Sequence, residues 1–485
     1  MAGVNCTDFT RIENTIVVSD IHLTDAEPPH PRNPLWKRFK RPAHFVDRKF
    51  TSFLEHLCSS MQGPIELILN GDIFDFDSVM ALPEKPRPHL TWLEKVRGLA
   101  PEEPKSRFKI QVIMADHAIW MTALRNFILA GNRVIFIIGN HDVELHWPSV
   151  RQDIIDKLDL PEERRSLMRF CEWFYISNQD TLIEHGNQYD HYSLILNPVN
   201  PLIKKGAKIY MRIPFGNLAG KFMLNGIGLM NPHADSSYIK NSFWEYILFY
   251  YKYVMRTQPL LIWTWFWSAM VTLVYSLSEG LLPAMRDPLT MDARVQEIAD
   301  RANTTPQVVW TLKEVHVHPA VFNPVKVLQE LWLDRAILLG LIVVGSFQFF
   351  SVLNVFVAIS IWWFVTLVVL LMPAFIFYAR SVVSGVMPTI EAALRLSPLS
   401  ARIARVKRVV HGHTHIEQHT SIDGIEYLNT GTWSAAYHDV ECTKPYGRKC
   451  FAWIKPGGPD GNRIAELYEW KDDGIERIQP VVVQK

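Results

Sequence analysis

Cysteine is scarce in this chain, and the five present (Cys6, Cys58, Cys171, Cys442 and Cys450) show no CxxC or similar spacing. An odd, scattered set argues against a disulfide framework and for small buried hydrophobes in a reducing compartment; only Cys442 and Cys450 could pair, across a hairpin. An excess of charge of either sign is also missing, since 50 Lys and Arg oppose 49 Asp and Glu for a formal +1. That balance argues against a nucleic-acid partner, which needs a basic surface. The opening MAGVNCTDFTRIEN has no basic stretch followed by an apolar one, so no secretory signal is expected there. Internal repeats and long low-complexity tracts are absent as well. With 485 residues the chain can build one large domain or two ordinary ones.

Long uncharged runs are the feature that the balanced totals conceal. No charge occurs from Thr257 to Ser278, or from Ala336 to Ala379, and both runs are dense in Trp, Leu, Ile, Val and Phe. About 20 apolar residues cross a bilayer as a helix. The first run therefore predicts one span, and the second predicts two spans joined by a tight turn near Phe349–Asn354.

On either side of these runs, short β-branched segments alternate with helical spacing. Strands are predicted at Asn14–Ser19, Ile65–Leu69, Arg133–Ile138, Trp173–Ser177 and Thr181–Glu184. They resume at Val406–Val410, Ile425–Leu428, Cys450–Ile454 and Arg463–Trp470, and helices are predicted at Phe45–Cys58 and Asp116–Ala130. Each His/Asp cluster follows a strand end: AspIleHis at 20–22, GlyAsp at 71–72, GlyAsnHisAsp at 139–142, HisGly at 185–186 and HisGlyHisThrHis at 411–415. Loops at the carboxyl ends of strands are where α/β proteins assemble sites from distant sequence. Taken singly, these fragments are ordinary turn chemistry. Together they supply the carboxylate, amide and imidazole donors that two divalent ions held close together require.

The series ValValSerAspIleHis, LeuAsnGlyAspIlePheAsp, IleGlyAsnHisAsp, HisGly and GlyHisThrHis resembles the motif set of the calcineurin-like metallophosphoesterases. The resemblance covers about residues 11–197 and 400–475. It implies an α/β fold, a four-layer αββα sandwich. Because the apolar section interrupts the strand pattern, that domain is expected to be split into 11–197 and 385–475 by an inserted α-helical transmembrane region at 198–384. It also implies two divalent ions, manganese foremost, with iron or zinc as alternatives. Asp20, His22 and His415 would hold one ion, Asn140, His185 and His413 the other, and Asp72 would bridge them. Two such ions would activate a shared water for in-line attack on phosphorus. His141 is placed to protonate the leaving oxygen, with Asp142 available to orient it. Asp75 and Asp190 are candidates for supporting groups, while His316 and His318 read as solvated residues of the insertion.

Ligands His185 and His413 flank the apolar runs yet must meet, so the number of full crossings must be even. Three spans fail that test, leaving two crossings plus an interfacial or re-entrant element, or four crossings with the aromatic run Phe243–Met255 taking part. The flanks of the catalytic part are basic: Lys240, Lys252 and Arg256 before the spans, and Arg380, Arg395, Arg402, Arg405, Lys407 and Arg408 after them. Residues 279–335 have a slight acidic excess. Positive flanks predict a cytoplasmic catalytic domain. Lys204, Lys205, Lys208, Arg212 and Lys221, interleaved with apolar residues, would suit an anionic lipid surface. The expected activity is hydrolysis of a phosphate ester or pyrophosphate bond, on a lipid-linked substrate because the insertion brings the site to the bilayer. A tethered phosphoesterase for soluble or protein substrates, and a non-catalytic membrane scaffold or sensor, are the alternatives.

Overall fold

Fourteen strands form along the described chain: β1 (Asn14–Val18), β2 (Ile65–Asn70), β3 (Arg133–Ile137), β4 (Met168–Cys171), β5 (Phe174–Ser177), β6 (Thr181–Glu184), β7 (Leu202–Lys205), β8 (Lys208–Met211), β9 (Arg408–His411), β10 (Glu417–Ile422), β11 (Ile425–Thr430), β12 (Cys450–Pro456), β13 (Arg463–Lys471) and β14 (Gly474–Arg477). The structure is a computed structural model, and it describes residues 11–84, 90–229, 231, 233, 243–285, 288–381, 387–457, 462–471 and 474–478. Cys6, the segment 1–10 and Lys240 lie outside the described residues. The strands build a seven-stranded sheet of order β14-β13-β12-β1-β2-β3-β4 and a five-stranded sheet of order β10-β11-β9-β6-β5, with β7-β8 as a separate hairpin. The chain is thus mixed α/β with several sheets.

Side chains alternate across a strand, and here both faces are buried. Val17, Ile68 and Ile135 from the first sheet share one apolar layer with Ile183, Val410 and Leu428 from the second. Their neighbours Ile16, Val18, Leu67, Leu69, Val134 and Phe136 point the other way, onto helices Asp47–Ser60, Glu103–Asp116, Ala118–Leu129 and Pro148–Leu158. The far side of the five-stranded sheet packs Phe174, Ile176, Leu182 and Val409 against Val295 and Ile298 of helix Pro288–Arg301, Val309 and Leu312 of Pro306–Lys313, and Ala401 of Met387–Ala404. Each such side chain removed from water contributes about 1.5–3 kcal/mol.

The late strands return into both sheets, with β9 parallel to β6 and β12 antiparallel to β1. β1, β2, β3 and β4 run parallel to one another. The loops leaving β1, β2, β6 and β9 consequently converge: Asp20 N–H donates to Gly71 O at 3.1 Å, and Gly412 N–H to His185 O at 2.9 Å.

Three described helices are long and apolar enough to cross a membrane: Leu261–Gly280, Leu333–Phe356 and Trp362–Ala379. The turn between the last two lies at 357–361, not near Phe349–Asn354 as expected. Nothing in 349–354 breaks a helix; the chain turns where Val357 becomes extended (φ −141°), and the Asn354 side chain accepts from Ile359 N–H at 3.0 Å. The run Phe243–Met255 is helical, as Phe243–Phe249, a π turn at Tyr250–Val254 and Met255–Thr257. Residues 288–313, in the segment of slight acidic excess, cover the five-stranded sheet. Nor do the lysines of 204–221 share one surface. Lys204, Lys205 and Lys208 are exposed on the β7-β8 hairpin, but Lys221 is buried and donates to Leu99 O. His316 and His318 are exposed.

Candidate metal centre

Space is made at three glycines. A Cβ on Gly71 (φ +77°) would lie 2.4 Å from the His185 ring, one on Gly139 2.3 Å from Asp72 Oδ1, and one on Gly412 2.5 Å from Asp20 Oδ2. The donors are also held in unusual backbone: Asp20, His22, Asp72, His413 and His415 have φ from +53° to +68°. Non-glycine residues there cost of order 1–3 kcal/mol each, and strain of this kind persists only where surrounding contacts enforce it. Those contacts are present. Trp433 N–H and the Thr432 hydroxyl both donate to Asp20 O at 3.0 Å, His22 N–H to Asp72 O at 2.9 Å, His413 N–H to Asp20 Oδ2 at 3.0 Å, and the Asn429 amide to Gly412 O at 2.7 Å.

Two trios of donors result. Asp20, His22 and His415 each offer an atom within 4.8 Å of the other two, and so do Asp72, His185 and His413. His415 Nε2 stands 3.2 Å from both Asp20 Oδ1 and His22 Nε2, and His185 Nε2 stands 3.1 Å from Asp72 Oδ2. The trios adjoin, with His22 Nε2 at 4.0 Å from Asp72 Oδ2 and His185 Nε2 at 4.0 Å from Asp20 Oδ1. Donors bound to one ion at about 2.0–2.2 Å lie roughly 3–3.5 Å from each other. The His415–Asp20, His415–His22 and His185–Asp72 separations match that spacing, while His22 Nε2 stands 3.9 Å from Asp20 Oδ1.

Three histidines are fixed in the tautomer a ligand needs. His185 Nδ1 donates to Asn70 O at 2.9 Å and His415 Nδ1 to His233 O at 3.2 Å, leaving each Nε2 lone pair free; His413 Nε2 faces Asp190 Oδ2 at 2.9 Å, leaving Nδ1. Such outer partners set ring orientation and ligand basicity. Asn140 is oriented by Asn217, its Nδ2 donating to Asn217 Oδ1 at 3.0 Å while Asn217 Nδ2 donates to Asn140 O at 3.1 Å.

Asp142 does not face His141. Its two oxygens accept Gly139 N–H at 2.5 Å and Ile73 N–H at 2.9 Å, so it pins the loops that carry Asn140 and Asp72. The carboxylate at His141 Nδ1 is Asp75, at 3.2 Å, with Asp77 Oδ2 at 4.0 Å. Asp75 also takes His233 Nε2 at 3.1 Å, and the His233 ring stacks on His22 with centroids 3.8 Å apart.

No family model matches this chain, and no curated protein does.

The donor set itself tests whether ions fit. Buried atoms without a hydrogen-bond partner include Asp20 Oδ1 and His185 Nε2, one in each trio, and Asn140 Oδ1 on the loop after β3. A buried polar atom left unpaired costs about 1–3 kcal/mol, and cations placed among these atoms would relieve that. Burial raises the Asp20 and Asp72 carboxyls, but the neighbouring imidazoles, His185 foremost, outweigh it and hold both below the usual range. His22 is held well below its ordinary value by burial and by His233, which keeps it neutral, as a ligand must be. Burial opposes protonation of His185, yet Asp72 and Asp20 push it up to about 9, so an ion there would displace a proton. For His141 burial is likewise overridden, by Asp75 and then Asp72, to about 10.

Six of the candidate ligands, Asp20, His22, Asp72, His185, His413 and His415, therefore come together. Asn140, next to His141 whose N–H donates to Asp72 Oδ1 at 2.8 Å, keeps a buried side-chain oxygen without a partner. Asn217 and His233 were not anticipated. Both lie within residues 198–384, in GlyAsnLeu and ProHisAla contexts that carry no motif, and only the chain path brings them here.

Proposed function

We propose that the protein is a membrane-anchored, metal-dependent phosphoesterase of the calcineurin-like type, hydrolysing a phosphate ester or pyrophosphate bond on a lipid-linked substrate. The observation that carries this reading is the pair of adjoining donor trios with buried, unpartnered Asp20 Oδ1 and His185 Nε2, set beside His141, whose Nδ1 stands 3.2 Å from Asp75 Oδ1. Asp20, His22 and His415 would hold one divalent ion, Asn140, His185 and His413 the other, and Asp72 would be shared between them. The ions would supply Lewis-acid stabilisation of phosphoryl charge and a lowered pKa for the attacking water. His141 supplies the proton. Asp75 anchors Nδ1–H and leaves Nε2–H free for the leaving oxygen, and the carboxylates around it keep the imidazolium charged at neutral pH. Two sheets with helices on their outer faces support the metallophosphatase sandwich. The apolar helices, all within the insertion, support a membrane setting. The catalytic body belongs on the cytoplasmic side, because exposed Lys252, Arg256, Arg395, Arg402, Arg405 and Lys407 lie on its flanks.

The test is to purify the protein in detergent with manganese. Release of phosphate or nucleotide from a panel of lipid-linked phosphoesters and pyrophosphates is then compared with turnover of p-nitrophenyl phosphodiesters. Lipid-linked turnover that vanishes in Asp72→Ala together with both bound metals is expected. Absence of turnover with every divalent metal would refute the enzymatic reading. Turnover of soluble esters alone would favour a tethered enzyme for soluble substrates.

A further inference from the structure

Helix Leu261–Gly280 has the length and composition of a span, yet both its ends are tied to one body. Upstream, Gln258 donates to Gly226 O at 2.7 Å, and Lys252 and the Tyr253 hydroxyl reach Glu441 at 3.1 and 2.5 Å. Downstream, Met285 N–H donates to Leu202 O at 2.9 Å, and the chain continues onto the five-stranded sheet, where Ile176 N–H donates to Ala302 O at 3.0 Å. A crossing helix delivers its ends to opposite sides of the bilayer; this one returns both to the catalytic body.

Its middle is occupied too. Arg97 donates to Ser268 Oγ at 3.4 Å, its guanidinium lies 5.2 Å from the Trp267 ring, and Trp92 meets Trp267 at 5.3 Å. In a span these residues would sit at mid-bilayer, where a charged arginine is costly and rare. Ser268, Ala269, Thr272 and Ser276 form a buried face, whereas Ile262, Trp263, Phe266, Met270 and Val274 form an exposed stripe. One-sided burial is the pattern of a helix lying in an interface. The two later helices differ, with 6% and 0% of their apolar windows buried, against 22% here.

We infer that Leu261–Gly280 lies in the plane of the membrane interface with its exposed stripe in lipid, and that the chain crosses the bilayer only twice, through Leu333–Phe356 and Trp362–Ser381. The occupant of the stripe is the bilayer. Trp244, Leu248, Tyr251 and Met255 continue an exposed apolar stripe along the preceding helical segment beside Lys252 and Arg256, the aromatic and basic mixture that favours the headgroup level. The buried face of the helix packs against the start of the first crossing, since Ala269 shares a cluster with Val327, Leu331 and Leu333. Two crossings satisfy the even parity that reuniting His185 with His413 demands. The inference rests on the membrane reading and is independent of catalysis.

Cysteine accessibility tests it in sealed right-side-out and inverted vesicles, with a membrane-impermeant maleimide. Native Cys58, exposed on helix Asp47–Ser60, reports the side of the catalytic body in a Cys6→Ser background. With Cys58→Ser added, Gln307→Cys should label in the same vesicle orientation as Cys58, and Ala358→Cys only in the opposite one. Gln307→Cys on the far side, or Ala358→Cys on the near side, would overturn the topology. For the in-plane placement, nitroxides at Trp263→Cys, Phe266→Cys, Met270→Cys and Val274→Cys are examined in vesicles of phosphatidylethanolamine and phosphatidylglycerol. They should share one shallow depth. A steady change of about 1.5 Å per residue would mean a crossing and defeat the inference. An inactive protein answers both questions equally, so loss of the enzymatic reading would leave this one standing.

Discussion

A methyl group on Gly139 would stand 2.3 Å from Asp72 Oδ1 and 2.9 Å from His185 Cδ2, with the backbone nitrogen of Asp72 at 2.6 Å. Backbone cannot yield as a flexible side chain can, so Gly139→Ala must shift Asp72 itself. Displacement of about 1 Å in a positioned site costs roughly 10²-fold in rate. Gly139→Ala should therefore fold, lose metal and drop turnover by that order; metal analysis beside circular dichroism checks it, and a variant with two ions and full activity would refute the placement of Asp72. His233 acts through others, joining His22 by stacking, His415 through its carbonyl and His141 through Asp75. Loss of outer partners of metal ligands costs about 10–100-fold in affinity or activity. His233→Ala should lower kcat and metal affinity together, while retaining the fold. An unchanged kcat and metal titration would reduce His233 to a packing residue.

Between residue and fold stands the turn Val143–His146, which carries two buried ionisable groups directly after the Asn140–Asp142 loop. Glu144 pairs with Lys109 of helix Glu103–Asp116, both fully buried. Removing one partner strands the other charge at about 3–5 kcal/mol, whereas an apolar pair of similar volume is near neutral. Lys109→Met should thus lower Tm strongly and Lys109→Met with Glu144→Leu should restore most of it; equal loss in both would show that the pair is not the source. His146 is driven down to about 3 by burial and then by Arg151. Its unfolded value is near 6.5, so between those limits the unfolded chain binds the extra proton. Stability from this group is complete above about pH 6.5 and declines as pH falls toward 3. Near pH 5 the loss is about 2 kcal/mol. Tm measured from pH 8 to 5 should fall less in His146→Leu than in the native protein. The same scale shows what the sequence could disclose. Nine strands announced themselves because strands buried on both faces read as short continuous β-branched and aliphatic runs, and each donor sits at a strand end because parallel strands put their loops together. β4 and β10 escaped because MetArgPheCys and GluGlnHisThrSerIle lack that pattern. Asn217 and His233 escaped because an oriented amide and a stacked imidazole depend on packing, which leaves no periodic trace.

For the whole molecule the question is whether the substrate arrives through water or through the membrane. The exposed stripes of Phe243–Thr257 and Leu261–Gly280 and the hairpin Leu333–Ser381 all belong to the insertion that also lends Asn217 and His233 to the metal centre. On the proposed reading anchoring and chemistry would share one segment, and a lipid-linked phosphate delivered along the interface would meet the centre at a high local concentration without leaving the bilayer. Mixed micelles separate the two routes. With the bulk concentration of a long-chain lipid phosphoester held constant, added detergent lowers only its surface mole fraction, and turnover should fall in proportion. A short-chain, water-soluble analogue should be indifferent to the same dilution. If both substrates respond alike, or neither responds, the enzyme draws its substrate from solution and the membrane serves only to hold it in place.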